Sequence, residues 1–224
     1  MPTVLITGAN RGIGLELARA YAADGWSVIG ACRNPDAATD LAAIKGVELC
    51  PLDVTDAASI AAMAERYKGR PVDVLLNNAG IIGGRGMLAE IDYAAWADTM
   101  ETNLFGPTRI AEAMKDNVLS SERKQMAFIS SMMGSIAECT GGAYIYRSSK
   151  AALNMAVKCL SLEFAGNGLT AVMFHPGHVR TDMGGAAAPV LPVESATGIK
   201  SVIDGLSPSD NGRFFNYDGT ELPW

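Results

Sequence analysis

Six short β-branched runs, separated by longer amphipathic stretches, constrain this chain more than any other feature of its sequence. The runs are VLIT from Val4, SVIGAC from Ser27, VELC from Val47, VDVLLN from Val72, MAFISS from Met126 and TAVMF from Thr170. Helical periodicity falls between them, near residues 12–24, 56–67, 92–115, 146–166 and 193–206. Such alternation implies parallel strands joined by right-handed helical crossovers. Runs such as Val74, Leu75 and Leu76 contain no polar position, as expected where helices cover both faces of a sheet. The predicted fold is therefore α/β, a doubly wound parallel sheet. With no repeat, low-complexity tract or Pro/Ser-rich linker, residues 1–224 are expected to form one domain.

Composition supports a folded chain and narrows its partners. Hydrophobic residues make up 49% and charged residues 19%, enough to bury a large core and too apolar for disorder. A net charge of −6 opposes a nucleic-acid partner, which needs a positive surface to release counterions, but leaves room for a local anion site. The strand-like TVLITG starts at Thr3, leaving no space before it for a secretory signal. No apolar run reaches the roughly 18 residues of a membrane span. Cys32, Cys50, Cys139 and Cys159 are scattered without a C-x-x-C pair, consistent with free thiols in a reducing cytoplasm. The small-residue stretch GGAAAPVLP at 184–192 reads as a mobile loop.

The first crossover opens on TGANRGIG at 7–14, directly after the first strand. Gly8, Gly12 and Gly14, with Asn10, Arg11 and Ile13 between them, allow a tight turn and close backbone approach to a pyrophosphate at a helix N-terminus. The spacing is G-x-x-x-G-x-G and departs from G-x-G-x-x-G, so its position between strand and helix carries the reading. The second strand ends in Cys32 and Arg33, where an NAD-specific chain would place an acid for the ribose 2′-hydroxyl. Arg33 instead offers a planar fork to a 2′-phosphate, and Arg11 adds a second positive charge. NADP(H) is expected over NAD(H).

YRSSK at 146–150 sets a phenol and an ammonium group one helical turn apart. A free phenol has a pKa of about 10, and a nearby fixed cation favours the phenolate. Lowering that pKa by roughly three units requires about 4 kcal/mol of differential stabilisation. The pair is weak evidence alone. Tyr144 lacks a Lys four residues on, and Ser130 and Ser131 alternate along a strand, so only one of them can face a site beside Tyr146.

Five motifs now stand in order: the glycine loop, LDV from Leu52, NNAG from Asn77, the Ser, Tyr and Lys set, and HPGHVRT from His175. In this the chain resembles the short-chain dehydrogenase/reductases from Thr3 to Trp224, and most of all their C-factor and sniffer-type carbonyl reductases. The resemblance implies a Rossmann-type sheet of about seven strands. It also implies a catalytic tetrad of Asn103, Ser131, Tyr146 and Lys150. In that scheme Tyr146 exchanges the proton with the carbonyl oxygen, Lys150 lowers its pKa and holds the nicotinamide ribose, Ser131 binds the substrate oxygen, and Asn103 holds a water linking Lys150 to solvent. The same resemblance places Asp53 and Val54 at the adenine, Asn78, Ala79 and Gly80 beside the adenosine ribose, and Pro176, Gly177, Val179 and Thr181 at the nicotinamide carboxamide. Ser131 and Tyr146 are 15 residues apart, more than is usual in the family, so the substrate entrance should be shaped differently.

The implied activity is NADP(H)-dependent interconversion of a ketone or aldehyde with an alcohol, on substrates of low charge. The short loop after Thr181 predicts an open cleft and broad selectivity. An NADP(H)-binding regulatory protein with incidental turnover is the alternative. A nucleotide-sugar epimerase would need a further substrate domain. His175 and His178 have no Cys or carboxylate cluster to complete a metal site unless Asp182 helps, so no metal is expected. A homodimer, with a tetramer as a further option, is expected through the helices near 91–114 and 146–164.

Overall fold

The protein is described here by a computed structural model covering residues 1–84 and 86–224. The chain runs β1 (Thr3–Thr7), α1 (Gly12–Ala23), β2 (Ser27–Cys32), a short α2 (Thr39–Ala42), β3 (Val47–Pro51), α3 (Ala57–Arg66) and β4 (Val74–Asn77). It continues through α4 (Tyr93–Met100), α5 (Gly106–Leu119), β5 (Gln125–Ile129), α6 (Tyr144–Glu163), β6 (Thr170–His175), α7 (Pro192–Gly205) and β7 (Phe214–Asn216). The seven strands form one parallel sheet in the order β3-β2-β1-β4-β5-β6-β7. The order reverses between β1 and β4, and the crevice at such a switch point, beyond the carboxyl ends of the strands, is where this architecture binds ligands.

Strand alternation divides the core into two layers. Val4, Ile6 and Leu76 pack with Leu17 and Tyr21 of α1 and Ile199 and Ile203 of α7. Leu5, Leu75 and Phe128 face the other way, against Met63 of α3, Met114 of α5 and Leu153 of α6. Each such buried side chain contributes about 1.5–3 kcal/mol relative to exposure. Far from the crevice, the buried Lys200 ammonium lies 2.5 Å from Asp24 and 2.7 Å from Asp204, tying the end of α1 to α7.

Two expectations differ from the structure. The helix predicted over 92–115 is interrupted by a π-helical turn, Glu101–Phe105, which rotates α5 relative to α4. The stretch read as mobile at 184–192 is tied down. Across a parallel bridge between Val179 and Val190, the Arg180 N–H donates to the Val190 carbonyl and the Val190 N–H to the His178 carbonyl; Arg180 Nε donates to the Ala188 carbonyl at 3.2 Å, and the His178 ring nitrogen Nε2 meets the Gly184 carbonyl at 2.9 Å.

Candidate active site

A cleft of about 770 Å³ opens at the carboxyl ends of the strands and gathers most of the residues singled out above. Its floor is the glycine loop. Gly8 and Gly12 have φ of 65° and 54°, conformations that side-chain-bearing residues rarely adopt. Asn78 braces this loop from β4, donating through Nδ2 to the carbonyls of Thr7 and Gly8 at 2.9 and 3.1 Å. Helices α3 and α4 are capped by their own Asp56 and Asp92, whereas Arg11 makes no side-chain cap on α1. The first-turn N–H groups of α1, beside Asn10, Arg11, Gly12 and Ile13 in the cleft wall, suit an anionic diphosphate.

At one end of the cleft lie Arg33, Asp53 and Val54. The Asp53 carboxylate accepts from the backbone N–H and the hydroxyl of Thr55 at 2.9 and 2.7 Å, and these bonds hold its pKa below the usual carboxylate value. Asp56, not Asp53, caps α3. Ala79, Gly80, Pro176 and Thr181 line the middle of the cleft. Asp182 pairs with Arg11 at 2.9 Å across the mouth, a partner that sequence reasoning did not assign it. Both side chains are solvated, so the pair contributes about 0–1 kcal/mol and yields readily to a competing anion.

Tyr146 and Lys150 share the wall formed by α6, with Lys150 Nζ 5.8 Å from the centre of the Tyr146 ring. Lys150 is 4% exposed and donates to the Ile129 carbonyl at 2.8 Å. Burial pushes its pKa down to about 8. An added Cβ at Gly80 would lie 3.2 Å from Asn103 Oδ1, a tight contact, and 3.6 Å from Lys150 Nζ, an ordinary one, so this glycine brings the backbone close to both groups.

Five of the expected residues lie outside the cleft wall. Asn103, 1% exposed in the π-helical turn, exchanges bonds with the Ile81 backbone at 2.8 and 2.9 Å and donates to Ser149 at 3.0 Å. Its side chain braces the residues after β4. Ser131 is 6% exposed and its Oγ accepts from the Met133 N–H at 3.1 Å. Its neighbour Ser130 is the serine that lines the cleft, its hydroxyl donating to Asn154 Oδ1 at 2.5 Å. Gly14 packs behind the glycine loop, Gly177 turns the chain at φ 84°, and Val179 is buried in its bridge to Val190.

No group of three or more His, Cys, Asp or Glu able to hold a metal occurs among the described residues. His175 is partly buried, and that desolvation, with the nearby His178, lowers its pKa to about 4. Among the described residues no helix is long and apolar enough to cross a membrane.

The Lys150 ammonium sets a stability cost with a definite pH sign. Its folded pKa of about 8 lies below the ordinary lysine value of 10.5, so between those values the unfolded chain binds more protons and stability rises with pH. Lys150→Met should therefore raise the melting temperature at pH 7, and that advantage over wild type should shrink by pH 10. Thermal unfolding of both proteins at the two pH values checks this.

Comparison with known proteins fits this geometry. The family model for short chain dehydrogenase matches residues 2–189, and the chain belongs to that family. It is 48% identical to C-signal of Myxococcus xanthus over 155 residues, 69% of this chain and 93% of that protein. Carbonyl reductase Sniffer of D. melanogaster superposes with a TM-score of 0.94 at 33% identity over 100% of both chains. The NADPH-bound carbonyl reductase from chicken fatty liver superposes at 0.93 with 34% identity, over 100% of this chain and 99% of that one.

Proposed function

We propose that the protein is an NADP(H)-dependent reductase of ketones or aldehydes in which Tyr146 delivers the proton. The observation that carries this reading is the pairing of Tyr146 with a buried Lys150 on the wall of a cleft floored by the glycine loop. The cofactor, when bound, supplies the hydride. Tyr146 protonates the developing alkoxide, a step that such a positioned group accelerates about 10²–10⁴-fold. Lys150, mostly protonated below its pKa of about 8, favours the phenolate left behind. Ser131 accepts from Met133 and keeps its own hydroxyl proton to donate to the substrate oxygen. Asn103 holds the segment around Ile81 against α6.

Arg33 carries the cofactor preference in this reading, with Arg11 released from Asp182 to assist. A charge-assisted bond of this kind contributes about 1.5–3 kcal/mol, or roughly 10–100-fold. Arg33→Ala should lower kcat/KM with NADPH by that factor and leave NADH nearly untouched. Equal losses with both cofactors would contradict it. Following NADPH absorbance against aldehydes, α-diketones, quinones and ketosteroids tests the substrate class.

The chain is also proposed to form a homodimer through α4, α5 and α6, where Phe105, Met155 and Leu162 are exposed. Light scattering that finds only the 23.5 kDa species would oppose this. A second reading, signalling with incidental turnover in a cytoplasmic setting, draws support from the 48% identity to C-signal.

A further inference from the structure

We propose that Arg147 is a positioning residue that fixes Ser131 relative to Tyr146, an inference resting on the reading of those two as the groups that bind and protonate the carbonyl oxygen. Arg147 follows Tyr146 in the first turns of α6, and its guanidinium turns back over the segment that connects the two. It donates from Nε to the Gly141 carbonyl at 3.1 Å, from Nη2 to the Thr140 hydroxyl at 2.8 Å and from Nη1 to the Met133 carbonyl at 3.4 Å.

Met133 is thereby held at both ends: Arg147 takes its carbonyl, and its N–H donates to Ser131 Oγ at 3.1 Å. The orientation of the Ser131 hydroxyl is coupled through one residue to the side chain next to Tyr146. Gly134, one position on, packs so closely on Lys150 that an added Cβ would lie 2.8 Å from the Lys150 Cβ and carbonyl carbon. The turn after Ser131 is therefore clamped between α6 and the Arg147 fork.

The other end of the segment needs this brace. Gly141, Gly142 and Ala143 have φ of 86°, 65° and 47°, three left-handed residues in succession. An alanine is strained in that conformation, and glycines lose the most freedom on ordering. Arg147 anchors this strained run through Gly141 and Thr140. A Lys could not replace it, because a single ammonium cannot span three acceptors that a planar fork reaches in different directions. A misplacement of about 1 Å at a reacting group lowers rate by about 10²-fold.

The test is a double-mutant cycle in the full-length enzyme with NADPH and a carbonyl substrate that the wild type reduces. Arg147→Met should lower kcat by about 10-fold or more, with NADPH affinity, read by fluorescence titration, unchanged. Arg147→Lys, which keeps charge and bulk and so guards against simple misfolding, should show a similar deficit. In a Ser131→Ala background the Arg147→Met change should cost no more than about threefold, since coupled residues are non-additive. Full multiplicative losses, or wild-type kcat in Arg147→Lys, overturn the inference and leave the reading of Ser131 standing. Wild-type kcat in Ser131→Ala alone would instead overturn that reading, and the inference with it.

Discussion

Tyr146→Phe is expected to lower kcat for carbonyl reduction by about 10²–10⁴-fold, with NADPH binding kept within a few fold. The substitution retains the ring, the four-residue spacing to Lys150 and the packing of α6, and removes only the hydroxyl that exchanges the proton. Steady-state NADPH oxidation paired with fluorescence titration separates the two readouts. A variant with wild-type kcat would end the enzymatic reading of the Tyr146 and Lys150 pair. A variant that is inactive but still performs the chain's role in cells would favour the signalling reading.

The second large effect concerns a residue outside the cleft wall. At Gly14 an added Cβ would lie 2.3 Å from the Gly8 carbonyl oxygen and 2.6 Å from Asn78 Nδ2. The first contact is with backbone, so relief requires moving the glycine loop itself and breaking the bonds by which Asn78 holds it. Overpacking of this kind costs about 1–3 kcal/mol, which for a chain of this size lowers Tm by several degrees. Gly14→Ala should also weaken NADPH binding by about 10-fold or more, because the displaced loop no longer presents its N–H groups together. Gly166→Ala, with nothing within 4 Å of the added Cβ, is the control and should be silent. Unchanged melting and affinity in Gly14→Ala would refute the bracing role.

Strand positions and the glycine loop were legible because period and turn chemistry are local properties of sequence. The break in the 92–115 helix was legible but missed: Gly106 and Pro107 follow Glu101–Phe105 directly, and Pro107 has no N–H to donate to the Asn103 carbonyl. The wider turn also accompanies a tertiary contact, Asn103 with Ile81 and Ser149. Ser130 and Ser131 fall just past the end of β5, where strand alternation no longer applies, and it is Ser130 that lines the cleft while Ser131 bonds the Met133 N–H. The lobe after Thr181 misled for a different reason. Its small side chains bury little, yet its backbone carbonyls accept from Arg180 and His178, and acceptors on the main chain leave no trace in composition. The Arg11 and Asp182 pair was hidden by a separation of 171 positions in sequence.

The strand order has a bearing on how the molecule is made. From β4 onward each strand lies just outside the one synthesised before it, and β2 and β3 extend the opposite flank. A nascent chain can thus extend its ribbon outward from β1 as successive crossovers leave the ribosome, with no earlier pairing to reopen. Until Phe214 and Phe215 arrive, however, the apolar flank of β6 remains a bare template, which makes the last strand the one whose delay most exposes newly made chains to clumping.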